Sequence, residues 1–138
     1  MLYLLGIDVG TSVVKSVLFN LRGEEIVVSR RTPAIIRERQ GWSEMSMEAL
    51  WQDVLATLRE VASSEALRHG EIAGIGLSGM CCSSWLLDDA GRPVRNAILW
   101  NDGRAASIIA DWQREGVMDE VFRIGGNIIF PGYTVAVL

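Results

Sequence analysis

The chain has 138 residues, of which 49% are hydrophobic and 22% charged, a composition typical of a globular protein and not of a disordered one. Its formal net charge of −4 argues against nucleic acid as a partner, because phosphate backbones bind basic surfaces. No apolar run reaches the roughly 18 residues that a membrane span needs, and the apolar N-terminus has no basic lead-in, so neither a span nor a signal peptide is expected.

The two cysteines, Cys81 and Cys82, are adjacent in the sequence. Adjacent cysteines cannot form an ordinary loop-closing disulfide, and a single histidine leaves no recognisable zinc site. We interpret both as reduced thiols and expect a cytoplasmic protein.

Three short runs of strand-forming residues open the chain, at 3–9, 13–19 and 24–31. Tight turns that contain Gly10 and Gly23 join them, which predicts an antiparallel meander. The third run is the most polar, so we expect it at a sheet edge.

An amphipathic helix is predicted from residue 47, because apolar residues then recur every three or four positions as far as Val61. Ser46 is its candidate N-cap. Residues 32–44, with Pro33 and several charges, are expected to form a loop. The fully apolar run at 72–77 is expected to be a central strand.

The second half of the chain predicts a strand at 84–87, a turn at 88–91 and helices over 105–114 and 117–124, followed by a turn at 130–133. This order of elements indicates a mixed sheet flanked by helices. Several large apolar side chains are expected in the core, namely Trp51, Trp85, Ile108, Ile109 and Trp112.

The most informative local motif is Gly6-Ile7-Asp8-Val9-Gly10-Thr11-Ser12. An unpaired carboxylate at the end of a buried strand is costly, so Asp8 should meet a cation, a donor or water. Gly10 permits a tight turn, and Thr11 and Ser12 add donors, which together suit phosphate oxygens and a hydrated magnesium ion. A plain hairpin explains the same residues. Lys15 could reach a phosphate or lie on a solvated face.

Four separated segments together resemble the FGGY family of carbohydrate kinases. The resemblance is collinear from residue 4 to about 134. Three of the segments are residues 6–12 with Lys15, Gly41-Trp42-Ser43-Glu44 and residues 75–93. The fourth and most specific segment is Ala97-Ile98-Leu99-Trp100-Asn101-Asp102-Gly103-Arg104-Ala105. It implies an α/β fold of the ribonuclease-H-like (actin-like ATPase) type. In this fold a mixed sheet contains an antiparallel three-strand meander and has flanking helices. The resemblance further implies that residues 1–138 form only the N-terminal part of the sugar- and phosphate-binding domain, without the C-terminal domain.

The resemblance also implies ATP and Mg²⁺, with transfer of the γ-phosphate to a hydroxyl of a ketopentose or related sugar. Asp8 would hold magnesium-bound water, and Gly10, Thr11, Ser12 and Lys15 would face the phosphates. The catalytic base would lie downstream of residue 138, so the fragment alone is expected to be inactive.

Sugar recognition would fall to Trp42, Met80, Cys81, Asn101, Asp102 and Arg104. Xylulokinase-like members carry Gln-Met-His where this chain has Met80-Cys81-Cys82, so fewer polar groups would face a sugar here. Packing alone also explains Met80 and Cys81. Trp42 could stack on a sugar or cover the helix that follows. Asp102 could instead pair with Arg104 or cap the helix at Ala105.

A second function class is a stand-alone, non-catalytic module. A chain of this length would leave the apolar strand at 72–77 short of contacts, and such a surface favours self-association or a protein partner. A homo-oligomer is therefore also an expectation.

Overall fold

The computed structural model describes all 138 residues, which divide into two compact units. The first unit comprises Met1–Ala34 and Glu48–Met80, and the second comprises Ile35–Met47 and Cys81–Leu138. None of the helices is both long enough and apolar enough to cross a lipid bilayer.

Six strands and five helices make up the chain. The strands are β1 (Leu2–Val9), β2 (Val14–Asn20), β3 (Glu25–Arg31), β4 (Glu44–Met45), β5 (Glu71–Gly79) and β6 (Ala97–Ile98). The helices are α1 (Met47–Ala62), α2 (Glu65–Arg68), α3 (Ala106–Arg114), α4 (Val117–Gly125) and α5 (Thr134–Val137).

The first unit contains a four-stranded mixed sheet in the order β3-β2-β1-β5. β1 pairs antiparallel with β2, and β2 with β3, whereas β1 and β5 run parallel. The antiparallel meander and the edge position of the polar β3 are therefore confirmed. The β2–β3 turn closes on Asn20, whose side-chain oxygen accepts the backbone N–H groups of Arg22 at 2.9 Å and Glu24 at 3.1 Å.

Helix α1 packs on one face of this sheet, as its periodicity predicts. Tyr3, Leu5, Leu18 and Val61 form the buried core there. One polar contact crosses the same interface, between the hydroxyls of Ser16 and Thr57 at 2.8 Å. The prediction that Trp51 packs in the core is wrong, because its side chain is 53% exposed. It follows Leu50 directly and so falls outside the buried stripe of the helix.

β5 is not the central strand that its apolar sequence predicts. It lies at the edge of the sheet and pairs only with β1. Ile75 and Leu77 are 66% and 76% exposed. An apolar run indicates that a strand is suited to burial, but the position of the strand depends on which other strands are available to pair with it.

The second unit is built around the two-stranded pair of β4 and β6, with further bridges at Ile36–Glu44, Ser84–Ile98 and Leu87–Pro93. Residues 84–87 therefore make isolated bridges and not the predicted strand. The predicted loop at 32–44 ends at Glu44, which is the first residue of β4. The turn at 88–91 is confirmed by the bond from the Gly91 N–H to the Asp88 carbonyl at 2.9 Å.

α3 and α4 lie within one or two residues of the predicted helices and pack against each other. The buried stripe predicted for α3 is wrong: Ile108 is exposed, and Ile109 and Trp112 are only half-buried. Trp85 is also only half-buried. An apolar helix face is buried only where another element covers it, and the periodicity of one segment carries no information about that cover.

Candidate functional site

The β1–β2 hairpin places three polar side chains side by side on the sheet of the first unit. Asp8, near the end of β1, lies opposite Lys15 on β2 and opposite Ser78 on β5. Because side chains alternate along a strand, partners in register share one face. Asp8 is exposed, so water solvates its carboxylate and the cost expected for a buried charge does not arise.

An open cleft of about 370 Å³ runs along this face. Gly6 and Gly76 lie on neighbouring strands and leave room between Asp8, Lys15 and Ser78, which also line it. The Lys15 ammonium nitrogen lies 3.8 Å from a Glu25 carboxylate oxygen, and the Lys15 side chain is partly exposed. Its role toward a phosphate stays a prediction.

The turn of the hairpin requires glycine at position 10. The Gly10 N–H donates to the Val13 carbonyl at 3.0 Å, and a Cβ at Gly10 would lie 2.8 Å from that same oxygen. The turn is also tied to the end of β5. The Met80 N–H donates to the Val9 carbonyl at 3.0 Å, and the Thr11 hydroxyl donates to the Met80 sulfur at 3.7 Å. Met80 is thus brought next to the hairpin.

The hairpin suits a magnesium ion that keeps most of its water ligands. Nowhere in the chain do three or more His, Cys, Asp or Glu side chains gather around a common point. Magnesium commonly keeps several waters and takes one or two carboxylates plus phosphate oxygens. The single exposed carboxylate of Asp8, with Thr11 and Ser12 in the adjoining turn, fits that mode and not a cage built from protein ligands.

In the second unit, Asp102 is the centre of a buried hydrogen-bond network. Its side chain is fully buried, and one oxygen accepts the Ser43 N–H at 2.6 Å. The other accepts both the backbone N–H and the Nε of Arg104, each at 2.8 Å. The predicted pairing of Asp102 with Arg104 is confirmed. The capping alternative is wrong, since the two backbone N–H groups that Asp102 accepts belong to Ser43 and Arg104, which both precede α3.

Arg104 connects this network to a second carboxylate and to an aromatic ring. Its Nη2 donates to the buried Glu44, which also accepts from Arg95. The guanidinium of Arg104 lies 3.9 Å from the centroid of the Trp42 ring, and that of Arg39 lies 4.7 Å from it. The Trp42 ring is therefore stacked by arginine, a contact that neither sequence interpretation included. Asn101, beside this network, is exposed.

These contacts perturb the ionisation of both partners. Burial raises the pKa of Asp102, but hydrogen bonds from the Arg104 side chain and from two backbone N–H groups outweigh it, so the pKa falls below its ordinary value. The hydrogen bond to Asp102 raises the pKa of Arg104, and the bond to Glu44 adds to that effect. Both groups are thus held in their charged forms.

Arg95 and Arg39 are the members of this site that sequence reasoning missed. Arg95 is 51 positions from its partner Glu44, and no periodicity or motif links residues so far apart. Arg39 lies in a segment expected to be a loop, where charged residues are usual. The sequence motif Gly41-Trp42-Ser43-Glu44 identified Glu44, but no motif identified Arg95 or Arg104 as its partners.

Both cysteines are free thiols, in agreement with the sequence interpretation. Cys81 is exposed and Cys82 is half-buried. Packing therefore accounts for the half-buried Met80 better than for Cys81.

Comparison with known proteins places these features in a family. Residues 3–138 match the model of the FGGY family of carbohydrate kinases, N-terminal domain. The chain is 32% identical over 136 residues to the L-xylulose/3-keto-L-gulonate kinase of Escherichia coli (strain K12), covering 99% of this chain and 27% of that one. It is 33% identical over 137 residues to the glycerol kinase of Methylibium petroleiphilum, covering 99% of this chain and 28% of that one.

A solved structure of ligand-bound xylulose kinase from Lactobacillus acidophilus superimposes with a TM-score of 0.91 at 24% identity, over 99% of this chain and 27% of that one. This likeness confirms the predicted fold, a partial actin-like domain of mixed α/β type. The chain spans only about 27% of the length of these relatives. Because the family model matches nearly every residue, this chain belongs to the FGGY family of carbohydrate kinases.

Proposed function

We propose that this chain is the N-terminal part of an ATP-dependent sugar kinase that transfers the γ-phosphate of ATP to a hydroxyl of a ketopentose or related sugar. The observation that carries the proposal is the β1–β2 hairpin, which sets Asp8, Lys15 and Ser78 around an open cleft in a chain of a carbohydrate kinase family. Ketopentose is favoured because several relatives are named as L-xylulose or xylulose kinases. A glycerol kinase among them makes polyols the competing substrate class.

In this proposal the hairpin handles the phosphates. Asp8 holds a water of a hydrated magnesium ion, and the turn at Gly10, Thr11 and Ser12 presents donors to phosphate oxygens, with Lys15 as a nearby cation. Magnesium, when bound, neutralises charge on the phosphate oxygens. The remainder of the work in such a transfer is positioning, which suits a turn fixed by the Gly10–Val13 hydrogen bond.

The second unit supplies the sugar-facing residues in this proposal. Trp42, Cys81, Asn101 and Arg104 are its candidates. Met80, the last residue of the first unit, is proposed as a sugar-facing residue from the sequence resemblance alone. Asp102 acts mainly by positioning, since both of its oxygens accept hydrogen bonds from Ser43 and Arg104. A carboxylate held in this way fixes the direction in which Arg104 points.

The 138-residue chain by itself is proposed to be inactive. Glu44 is ion-paired with two arginines, and hydrogen bonds from Arg104 hold the pKa of Asp102 below its ordinary value, which makes Asp102 a poor proton acceptor. The base that takes the sugar hydroxyl proton would then come from outside these residues, in keeping with the small share of the relatives that the chain spans.

The test uses a gene product in which this chain is followed by the remainder of a kinase. ADP release is measured against pentuloses, hexuloses and polyols, for the parent protein and for Asp8→Asn. We expect turnover with at least one pentulose and a loss of about 100-fold or more in kcat for Asp8→Asn. Asp89→Asn, in the exposed turn after residue 87, is the matched control and should keep full activity. Folded protein that turns over no sugar, or an unaffected Asp8→Asn, would contradict the proposal.

One observation favours the second candidate function, a stand-alone module that self-associates. The apolar β5 has a bare edge, with Ile75 and Leu77 largely exposed. Exposed strand edges of this kind pair with other chains. Sedimentation velocity of the 138-residue chain over a range of concentrations tests this, and a monomer throughout would rule it out.

A further inference from the structure

The loop after β5 presents two thiols on consecutive residues. Cys81 is exposed and Cys82 is half-buried, so reagents in solution can reach the pair. No other cysteine occurs in the chain. Because all peptide bonds are trans, the two Cα atoms are separated by the usual distance of about 3.8 Å.

The backbone at this point is unusual. Cys82 has a φ of 59° and is the only residue other than glycine with a positive φ. Residues that carry a side chain seldom adopt this conformation, and strained backbone of this kind clusters at functional sites. The pKa of Cys82 is raised above its ordinary value, chiefly by its interaction with the neighbouring Cys81 thiol and further by burial.

We propose that Cys81 and Cys82 form a vicinal dithiol site that captures a trivalent thiophilic centre, of which organic trivalent arsenicals are the representative class. The relevant chemistry is soft: thiol sulfur is polarisable and binds soft centres in preference to hard ones. The site shares Cys81 with the proposed sugar-facing residues but uses neither the phosphate hairpin nor the Arg104 network, and arsenical capture is measured without any kinase turnover.

Capture by an arsenoxide is a balanced exchange without oxidation or reduction. Each sulfur loses its proton and forms one bond to arsenic, and the oxygen of the arsenoxide leaves as one molecule of water. Arsenic remains trivalent and keeps its organic substituent.

Two competing fates of the pair fit the structure less well. Disulfides normally join Cα atoms 4.4–6.8 Å apart, so a bond between consecutive residues at about 3.8 Å would require the backbone to move. A structural metal ion such as zinc takes four ligands, whereas no cluster of three or more suitable side chains exists in the chain. An organic arsenical needs only two protein ligands, and the site offers two.

The experiment treats the 138-residue chain with phenylarsine oxide, chases it with an excess of a monothiol, and follows the intact mass. We expect one phenylarsenic group per chain, retained against 2-mercaptoethanol and released by 2,3-dimercaptopropanol. Closing the second As–S bond within one molecule raises the effective thiol concentration. Retention by the parent chain should therefore exceed that of a single-thiol variant by roughly 10²–10⁴-fold.

Cys81→Ser and Cys82→Ser are the single-thiol variants, and thermal unfolding verifies that each is folded. Cys82→Gly is a second variant at this position, because glycine accepts the positive φ without strain. The matched control is Cys82→Ser combined with Ala90→Cys. It restores two thiols but puts the second at the exposed tip of the 88–91 turn, beyond the bridges at Ser84 and Leu87. Equal retention in the parent chain and any of these variants would overturn the proposal, as would rapid release from the parent chain by the monothiol.

Discussion

Arg104 contacts two carboxylates that belong to distant parts of the sequence. It donates to Asp102, two positions away, and to Glu44, 60 positions away. With Arg95 on Glu44, the two carboxylates and two guanidiniums balance in charge. The pairing is needed because buried carboxylates without partners are unfavourable. Arg104 thus stabilises the second unit and at the same time is held in one orientation beside Trp42.

We predict that Arg104→Met destabilises the second unit by about 3–5 kcal/mol, because it leaves two buried carboxylates with too few donors. Arg104→Lys should recover only part of this loss, since an ammonium group cannot reproduce the forked geometry. Urea unfolding followed by tryptophan fluorescence measures the effect. Arg114→Met, which breaks an exposed pair with Asp111, is the control and should be close to neutral. A neutral Arg104→Met would show that the network contributes no stability.

Acid should weaken the same network in a defined direction. The pKa of Asp102 is lower in the folded chain than in the unfolded chain, so its contribution is complete above the ordinary value of about 3.9 and is lost as the pH falls through the lower, folded value. We therefore expect the stability difference between the parent chain and Asp102→Asn to be constant near neutral pH and to shrink below about pH 4. Urea unfolding at a series of pH values measures it. A difference independent of pH would exclude this role for the charge.

At the scale of elements, the turn before α5 is fixed by a close backbone approach. Gly132 is buried, and a Cβ built on it would lie 1.9 Å from the Trp100 carbonyl oxygen. Any side chain there must push apart the segment that follows β6 and the segment that leads into α5. This contact is one that only glycine permits.

We predict that Gly132→Ala costs about 1–3 kcal/mol or more, because the clash is with backbone and cannot be relieved by a rotamer change. Gly125→Ala in α4 is the matched control: nothing lies within 4 Å of its Cβ, and its φ is not positive. Alanine is a better helix former than glycine, so this change should be neutral or stabilising by up to about 1 kcal/mol. Thermal unfolding of both variants gives the comparison, and equal midpoints would contradict the prediction.

The elements differ in how far the sequence predicts them. The β1–β2 hairpin pairs residues that are close in sequence and joined by one tight turn, and α1 forms from a continuous periodic segment. Alternation, turn glycines and helical periodicity therefore predict both well. Residues 84–87 look like a strand by composition, yet they make only isolated bridges, because a strand also needs a partner of matching length. Ile108 likewise looks like a core residue by the periodicity of α3, but it is exposed because no other element covers that part of the helix.

For the whole molecule, the bare edge of β5 is the feature with the widest consequence. Ile72, Ile75 and Leu77 are all exposed on this strand. In a sheet with one unpaired edge, apolar side chains and free backbone groups together favour the addition of another strand.

We predict that Leu77→Lys lowers self-association of the 138-residue chain, because a charge on an edge strand opposes pairing with a second chain. Sedimentation velocity at several concentrations gives the measurement. Leu87→Lys is the control, since Leu87 is similarly exposed but lies outside the four-stranded sheet. If both variants behave like the parent chain, β5 is not the associating edge.

The sequence by itself determined the family, the α/β fold and the position of the Asp8–Ser12 turn, because these depend on local patterns and on motifs in a collinear order. It also predicted the Asp102–Arg104 pair, whose members are two positions apart. Only the tertiary structure decided that Glu44 and Arg95 join this pair, that Arg104 stacks on Trp42, and that β5 lies at an edge. These contacts join residues tens of positions apart. Their formation depends on how the segments pack together, which no single segment encodes.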